Sequence, residues 1–259
     1  MPMTLRLATR LSALALTVGL AGQASAAQAP RPPGIVTGDL ARRDIRVPDS
    51  VPNISGTWMA ASSNRTTRPV DDSATPFLPW ARAFFEERAA GETAGRPLFD
   101  PNANCFPSGV PRTIPSPYPV DIVQTPDKII ISIEPMHTFR VIHMDGKPMP
   151  AGYSAFFGYS VGKWEGDTLV IETTGINGYP FVDVEGRPKS NQIKVVEHIR
   201  KVSPNFLENT FTIYDSITYS RPWTARALRT WTSDYRMTEY ICEENNRNAS
   251  DETGRIRTN

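Results

Sequence analysis

The chain has 259 residues, enough for one domain with a tail. Lys and Arg number 28 against 27 Asp and Glu, so no basic excess exists to hold nucleic acid or an anionic membrane surface. Hydrophobic residues make up 39% of the chain, which is enough to build a core.

Residues 1–26 have the pattern of a signal peptide. Arg6 and Arg10 form a basic start, Leu11–Gly22 is an apolar run too short to span a bilayer, and Ala24–Ala26 is a small-residue cleavage site. The expectation is export to the periplasm or the exterior, with a mature chain from about Ala27 and no membrane span after cleavage. Residues 27–52 are rich in Pro and Arg and poor in apolar residues, the composition of a flexible leader.

The folded domain is expected over residues 53–246. It opens with a strand, Asn53–Ala60, and a polar loop follows. "LPWARAFFEERAAG", Leu78–Gly91, predicts a helix with Pro79 in its first turn and Trp80, Phe84 and Phe85 as its apolar stripe. Residues 95–116 hold five prolines and no period, so they read as a long loop.

From Pro119 onward the pattern is β. Strands are predicted at Val120–Gln124, Lys128–Glu134, His137–Met144, Ala155–Trp164 and Thr168–Thr174. Four more follow at Gln192–Val202, Phe206–Ser216, Thr224–Thr232 and Tyr235–Cys242. Several joints are short and carry turn residues, which favours antiparallel neighbours. About ten such strands tend to curl and close, removing exposed edges. The fold expected is mainly β: one antiparallel up-and-down barrel or strongly curled sheet, with one helix. Residues 247–259 form a polar tail. In "KWEGDT", Glu165-Gly166-Asp167 reads as a hairpin connection rather than a catalytic cluster.

Cys105 and Cys242 are the two cysteines. In an oxidising compartment they are expected to pair, tying the Pro-rich loop to the C-terminal segment.

"GKWEGDTLVIET", "NQIKVVEHIRKV", "YSRPW" and "EYICEEN" together resemble a large family of exported bacterial proteins of undefined function, over about Asn104–Asn246. More remotely, "SGTW", Ser55–Trp58, resembles the G-x-W of lipocalin-like barrels. That resemblance implies that Trp58 closes one barrel end beneath a basic side chain from a late strand, Arg226 or Arg229.

Strand parity sorts the polar candidates. Ile193, Val195, Glu197 and Ile199 share an apolar face, which places Glu197 inside. Leu207, Phe211 and Ile213 share another, with Asn209 and Asp215. A buried carboxylate needs a partner, and Arg140 is the choice for Glu197. The candidate catalytic set is Glu197, Asp215, His137 and Arg140. Trp58, Phe139, Trp164, Phe211 and Arg229 are the candidate ligand-binding set. Glu197 and Asp215 lie at different levels of one hairpin, so no two-carboxylate dyad is expected.

"GYSVG", Gly158–Gly162, matches a nucleophile-elbow pattern, and Asp183 and His198 follow in hydrolase order. The residues after Ser160 run on into a hairpin, not a helix, so the pattern does not predict a hydrolase. His137 and His143 lie six residues apart on one strand, about 20 Å, and do not share an ion. No metal and no cofactor is expected. The sequence leaves three functions open: a barrel holding a small apolar or amphipathic molecule, an acid–base enzyme using the interior carboxylates, or a structural barrel without a ligand.

Overall fold

The structure, a computed structural model, describes residues 46–62, 66–95, 100–135, 138–179 and 181–245. Residues 1–26, expected as a signal peptide, and the expected tail 247–259 lie outside these residues, as does His137.

Nine strands close into one barrel in chain order. They are β1 (Gly56–Ala60), β2 (Val120–Gln124), β3 (Lys128–Ile133), β4 (Thr138–His143), β5 (Tyr159–Glu165), β6 (Thr168–Thr174), β7 (Lys194–Ser203), β8 (Phe206–Tyr214) and β9 (Trp223–Trp231). The tenth predicted strand does not form. Pairing of β1 with β9 already closes the ring and leaves no edge for Tyr235–Cys242 to join. That segment instead crosses outside, held where Glu134 accepts hydrogen bonds from the Tyr235 hydroxyl (2.5 Å) and the Thr238 amide (3.2 Å). It ends in a short helix, α2 (Cys242–Asn245).

An odd ring cannot be antiparallel throughout, because strand direction would then clash at closure. One neighbouring pair must run parallel, and here it is β4 with β5. The chain returns the length of the barrel between them, through residues 144–158, as a parallel connection requires. The other pairs are antiparallel.

The tight turns after β2, β5 and β7 lie at one end of the barrel. At the β5–β6 turn Gly166 has φ +61°, in the left-handed region that other residues enter at a cost. Around this end pack Ile54, Trp58, Ile122, Ile129, Ile142, Leu169, Ile171, Ile199 and Leu207. The Trp58 indole donates to the Ile54 carbonyl (2.9 Å), which satisfies its one polar atom in the core. The cation over its ring is Lys201 of β7, at 5.9 Å, not Arg226 or Arg229.

Long connections cover the opposite end. Val110, Ile114, Ile176, Val182, Ile193 and Tyr219 join Val195, Phe211, Ile213, Trp223 and Ala225 of the strands in a second apolar layer. Helix α1 (Pro79–Thr93) packs on those connections. Phe84 meets Phe181 at 6.2 Å, and Phe85 meets Phe77 at 5.2 Å. Trp80, expected in the stripe, is 48% exposed, though its indole reaches the Ile217 carbonyl. Cys105 and Cys242 are joined in a disulfide.

Candidate functional site

A polar belt separates the two apolar layers. Along β7, Glu197 falls between Val195 of one layer and Ile199 of the other. Along β8, Asn209 falls between Phe211 and Leu207. The inward residues of β4, β5 and β6 at this level are Arg140, Ser160 and Thr173, all buried. Parity therefore delivers one polar side chain from each of five consecutive strands to the same height.

Arg140 organises the belt. Its Nε donates to Ser160 Oγ (3.0 Å), and its Nη2 donates to Thr173 Oγ1 (2.7 Å) and to Glu197 Oε2. Asn209 Nδ2 donates to Glu197 Oε1 at 2.8 Å. Glu197, 1% exposed, thus has an ion-pair partner and a hydrogen bond on each oxygen, which a buried carboxylate requires.

Two groups are left over. Asn209 Oδ1 is buried without a hydrogen-bond partner. Nη1 of Arg140 takes part in none of that guanidinium's three hydrogen bonds. Both residues border an interior cavity of about 60 Å³, room for a few water molecules or the end of a chain. Its other walls are apolar: Val120, Ile122, Ile131, Ile133, Ile199 and Leu207, with Ala227 on β9.

One wall is not a strand. Thr113 and Ile114 belong to the Pro-rich loop, and they border the cavity. Arg229 holds this loop, donating to the carbonyls of Tyr118 (3.0 Å), Thr113, Ile114 and Ser116 (3.3 Å each). Desolvation draws its pKa down to about 10, so it stays protonated near neutrality. Arg229 lines the cavity with its hydrogen bonds committed to the loop, not to Trp58.

Asp215 does not reach the belt. Glu197 pairs in register with Phe211, and Asp215 lies four residues beyond it, about 13 Å along the strand. There it accepts from the Ser190 amide and hydroxyl, both at 2.7 Å, and pins two covering loops together. Phe211 is buried in the covered-end layer, and Trp164 packs on the turn-end layer. Phe139 points outward and is 64% exposed. The elbow pattern assembles no triad. Ser160 is buried in β5 as a partner of Arg140, His198 is exposed on β7, and Asp183 pairs with Arg187. Gly158 serves packing instead: its φ is +61°, and a Cβ there would come within 2.5 Å of the Thr174 carbonyl.

Sequence reading missed Ser160 and Thr173 as partners of Arg140. The signal was present for Thr173, which alternates with Leu169 and Ile171, but not for Ser160, whose same-face neighbours are Gly158 and Gly162. It also missed the cavity wall supplied by Thr113 and Ile114, which carries no periodicity.

No family model matches the chain, and no curated protein matches it.

Proposed function

We propose that this protein is an exported barrel that holds a small amphipathic molecule in its interior. The observation that carries this reading is the pairing of apolar walls with an unmatched acceptor, Asn209 Oδ1, on a residue beside Arg140. A guest hydroxyl satisfies the acceptor while its carbon chain lies on the isoleucines, which is how small-molecule sites divide affinity and orientation. The size of the cavity restricts the guest to a short chain, or to a larger molecule that shifts the Thr113–Ile114 wall.

Export is supported by the basic, apolar and small-residue pattern of residues 1–26 and by the Cys105–Cys242 bridge. The "WEGDTLVIET" block supports kinship with the exported bacterial family that it resembles. The acid–base reading is weaker, because both oxygens of Glu197 are engaged by Arg140 and Asn209.

A titration with straight-chain alcohols from ethanol to octanol tests the reading, followed by amide chemical shifts. Short chains are expected to perturb β7, β8 and β9 at the belt, with affinity rising and then falling as the chain outgrows the cavity. Perturbations confined to the surface would contradict an interior site.

A further inference from the structure

The parallel seam leaves a gap in the barrel wall. β4 and β5 pair over two positions, Ile142 with Ser160 and His143 with Val161. Residues 138–141 pair with β3 on one side, and no β5 residue is in register with them on the other. A cleft of about 420 Å³ opens there, within the range of small-molecule sites.

Its lining is unusual for a surface. Phe139, His143, Tyr153, Phe156, Phe157 and Tyr159 contribute six rings. Tyr159 stacks on His143 with centroids 4.5 Å apart and meets Tyr153 edge-on at 5.7 Å, so one wall is a fixed aromatic surface. Phe139, 64% exposed, stacks on no other ring among the described residues. Phe139 and Tyr153, the latter 41% exposed, both line the cleft, and a contiguous exposed apolar patch marks an interaction site. Arg140 borders both this cleft and the interior cavity. No carboxylate is among the described residues that line the cleft.

We propose that this cleft is a second binding site, which takes a flat aromatic molecule carrying an oxygen acceptor. The ring stacks on Phe139, in the cleft whose far wall is the His143–Tyr159 pair. The oxygen sits at the gap in the wall, where Arg140 borders the cleft. The aromatic lining selects a flat ring over a puckered one, because offset stacking needs a π-face on both partners. This inference rests on different residues from the interior reading, apart from Arg140.

The test uses the whole exported chain and three probes: 2-naphthamide, 2-naphthoate and the fully saturated decalin-2-carboxamide. Binding is read by isothermal titration and by shifts of the Phe139 and Tyr159 ring protons. Both naphthyl probes are expected to bind, and the saturated amide about tenfold more weakly. Phe139→Ala, at an exposed position, is expected to weaken the naphthyl probes about tenfold, while Phe139→Tyr retains them. Ala227→Val, which narrows the interior cavity, is expected to leave naphthyl binding unchanged whether or not it affects alcohols. Equal binding of the saturated amide, indifference to Phe139→Ala, loss of the probes in Ala227→Val, or no naphthyl binding would each overturn the cleft site.

Discussion

Arg140 on β4 and Glu197 on β7 form an ion pair although two strands lie between them. Their side chains meet across the barrel interior, over Ser160 and Thr173 of the intervening strands. The pair fixes the height of four strands relative to one another, because a slip of one residue in any of them turns its polar group outward.

Removing one partner should therefore be worse than removing both. Arg140→Leu strands the Glu197 charge in the core and is expected to cost about 3–5 kcal/mol. In the double variant Arg140→Leu/Glu197→Leu no charge is left behind, and much of that loss should return. Urea unfolding of the two single variants and the double variant measures the coupling. Simple additivity would mean that the pair is solvated and the belt does not exist.

Much of this was legible in β7, where Val195, Glu197 and Ile199 share one parity and the apolar neighbours declare which face is inside. The β4 segment was ambiguous, because His137, Phe139, Val141 and His143 form as good an apolar face as Thr138, Arg140, Ile142 and Met144. Phe139 was placed among interior residues on its type, and the barrel turns it out. What decides the matter is long-range: Arg140 has a carboxylate to meet and Phe139 does not. The parallel β4–β5 pair was also hidden, since closure parity follows from the strand count and Tyr235–Cys242 alternates like one more strand. The cleft residues "AFFGY", Ala155–Tyr159, read as part of a continuous strand and not as the edge of an opening.

The disulfide links residues 137 positions apart and anchors the loop that supplies Thr113 and Ile114. The paired change Cys105→Ser/Cys242→Ser is expected to lower stability by about 2–5 kcal/mol. Protease cutting should begin in the Pro-rich loop before the strands. Intact mass with and without reductant should differ by two hydrogens. Alkylation of both thiols without reduction would show that they are not bridged.

The "WEGD" turn makes a sharper distinction. Gly166→Val should destabilise the fold by about 1–3 kcal/mol, because a β-branched residue resists positive φ, and nothing lies near enough to clash. Glu165 is solvent-exposed and is held below the usual carboxylate range by a hydrogen bond from Lys163. Glu165→Gln should leave thermal melting and guest binding unchanged. A folded Glu165→Gln protein that loses its guest would give this turn a functional role.

Lys189 carries a pH signature. Burial draws its pKa down to about 7, and its ammonium donates to the carbonyls of Asn177 (2.5 Å) and Tyr179 (3.4 Å). Between about pH 7 and the ordinary lysine value the unfolded chain binds one more proton than the folded one, so stability rises with pH over that window. Below pH 7 both states are protonated and the slope from this residue vanishes. Urea unfolding at pH 7 and pH 9 should show a gain of more than about 1 kcal/mol, and Lys189→Met should flatten it. A wild type no more stable at pH 9 would mean that Lys189 is charged and solvated.

The interior guest is best tested by native mass spectrometry of the protein taken from its own cells, wild type beside Ala227→Val. The account predicts one small adduct of fixed mass on the wild type. The adduct should be lost or much reduced in Ala227→Val, whose two added methyl groups occupy the cavity while circular dichroism and melting stay close to wild type. A wild type that carries no adduct, or an adduct that Ala227→Val keeps in full, would contradict an interior binding site.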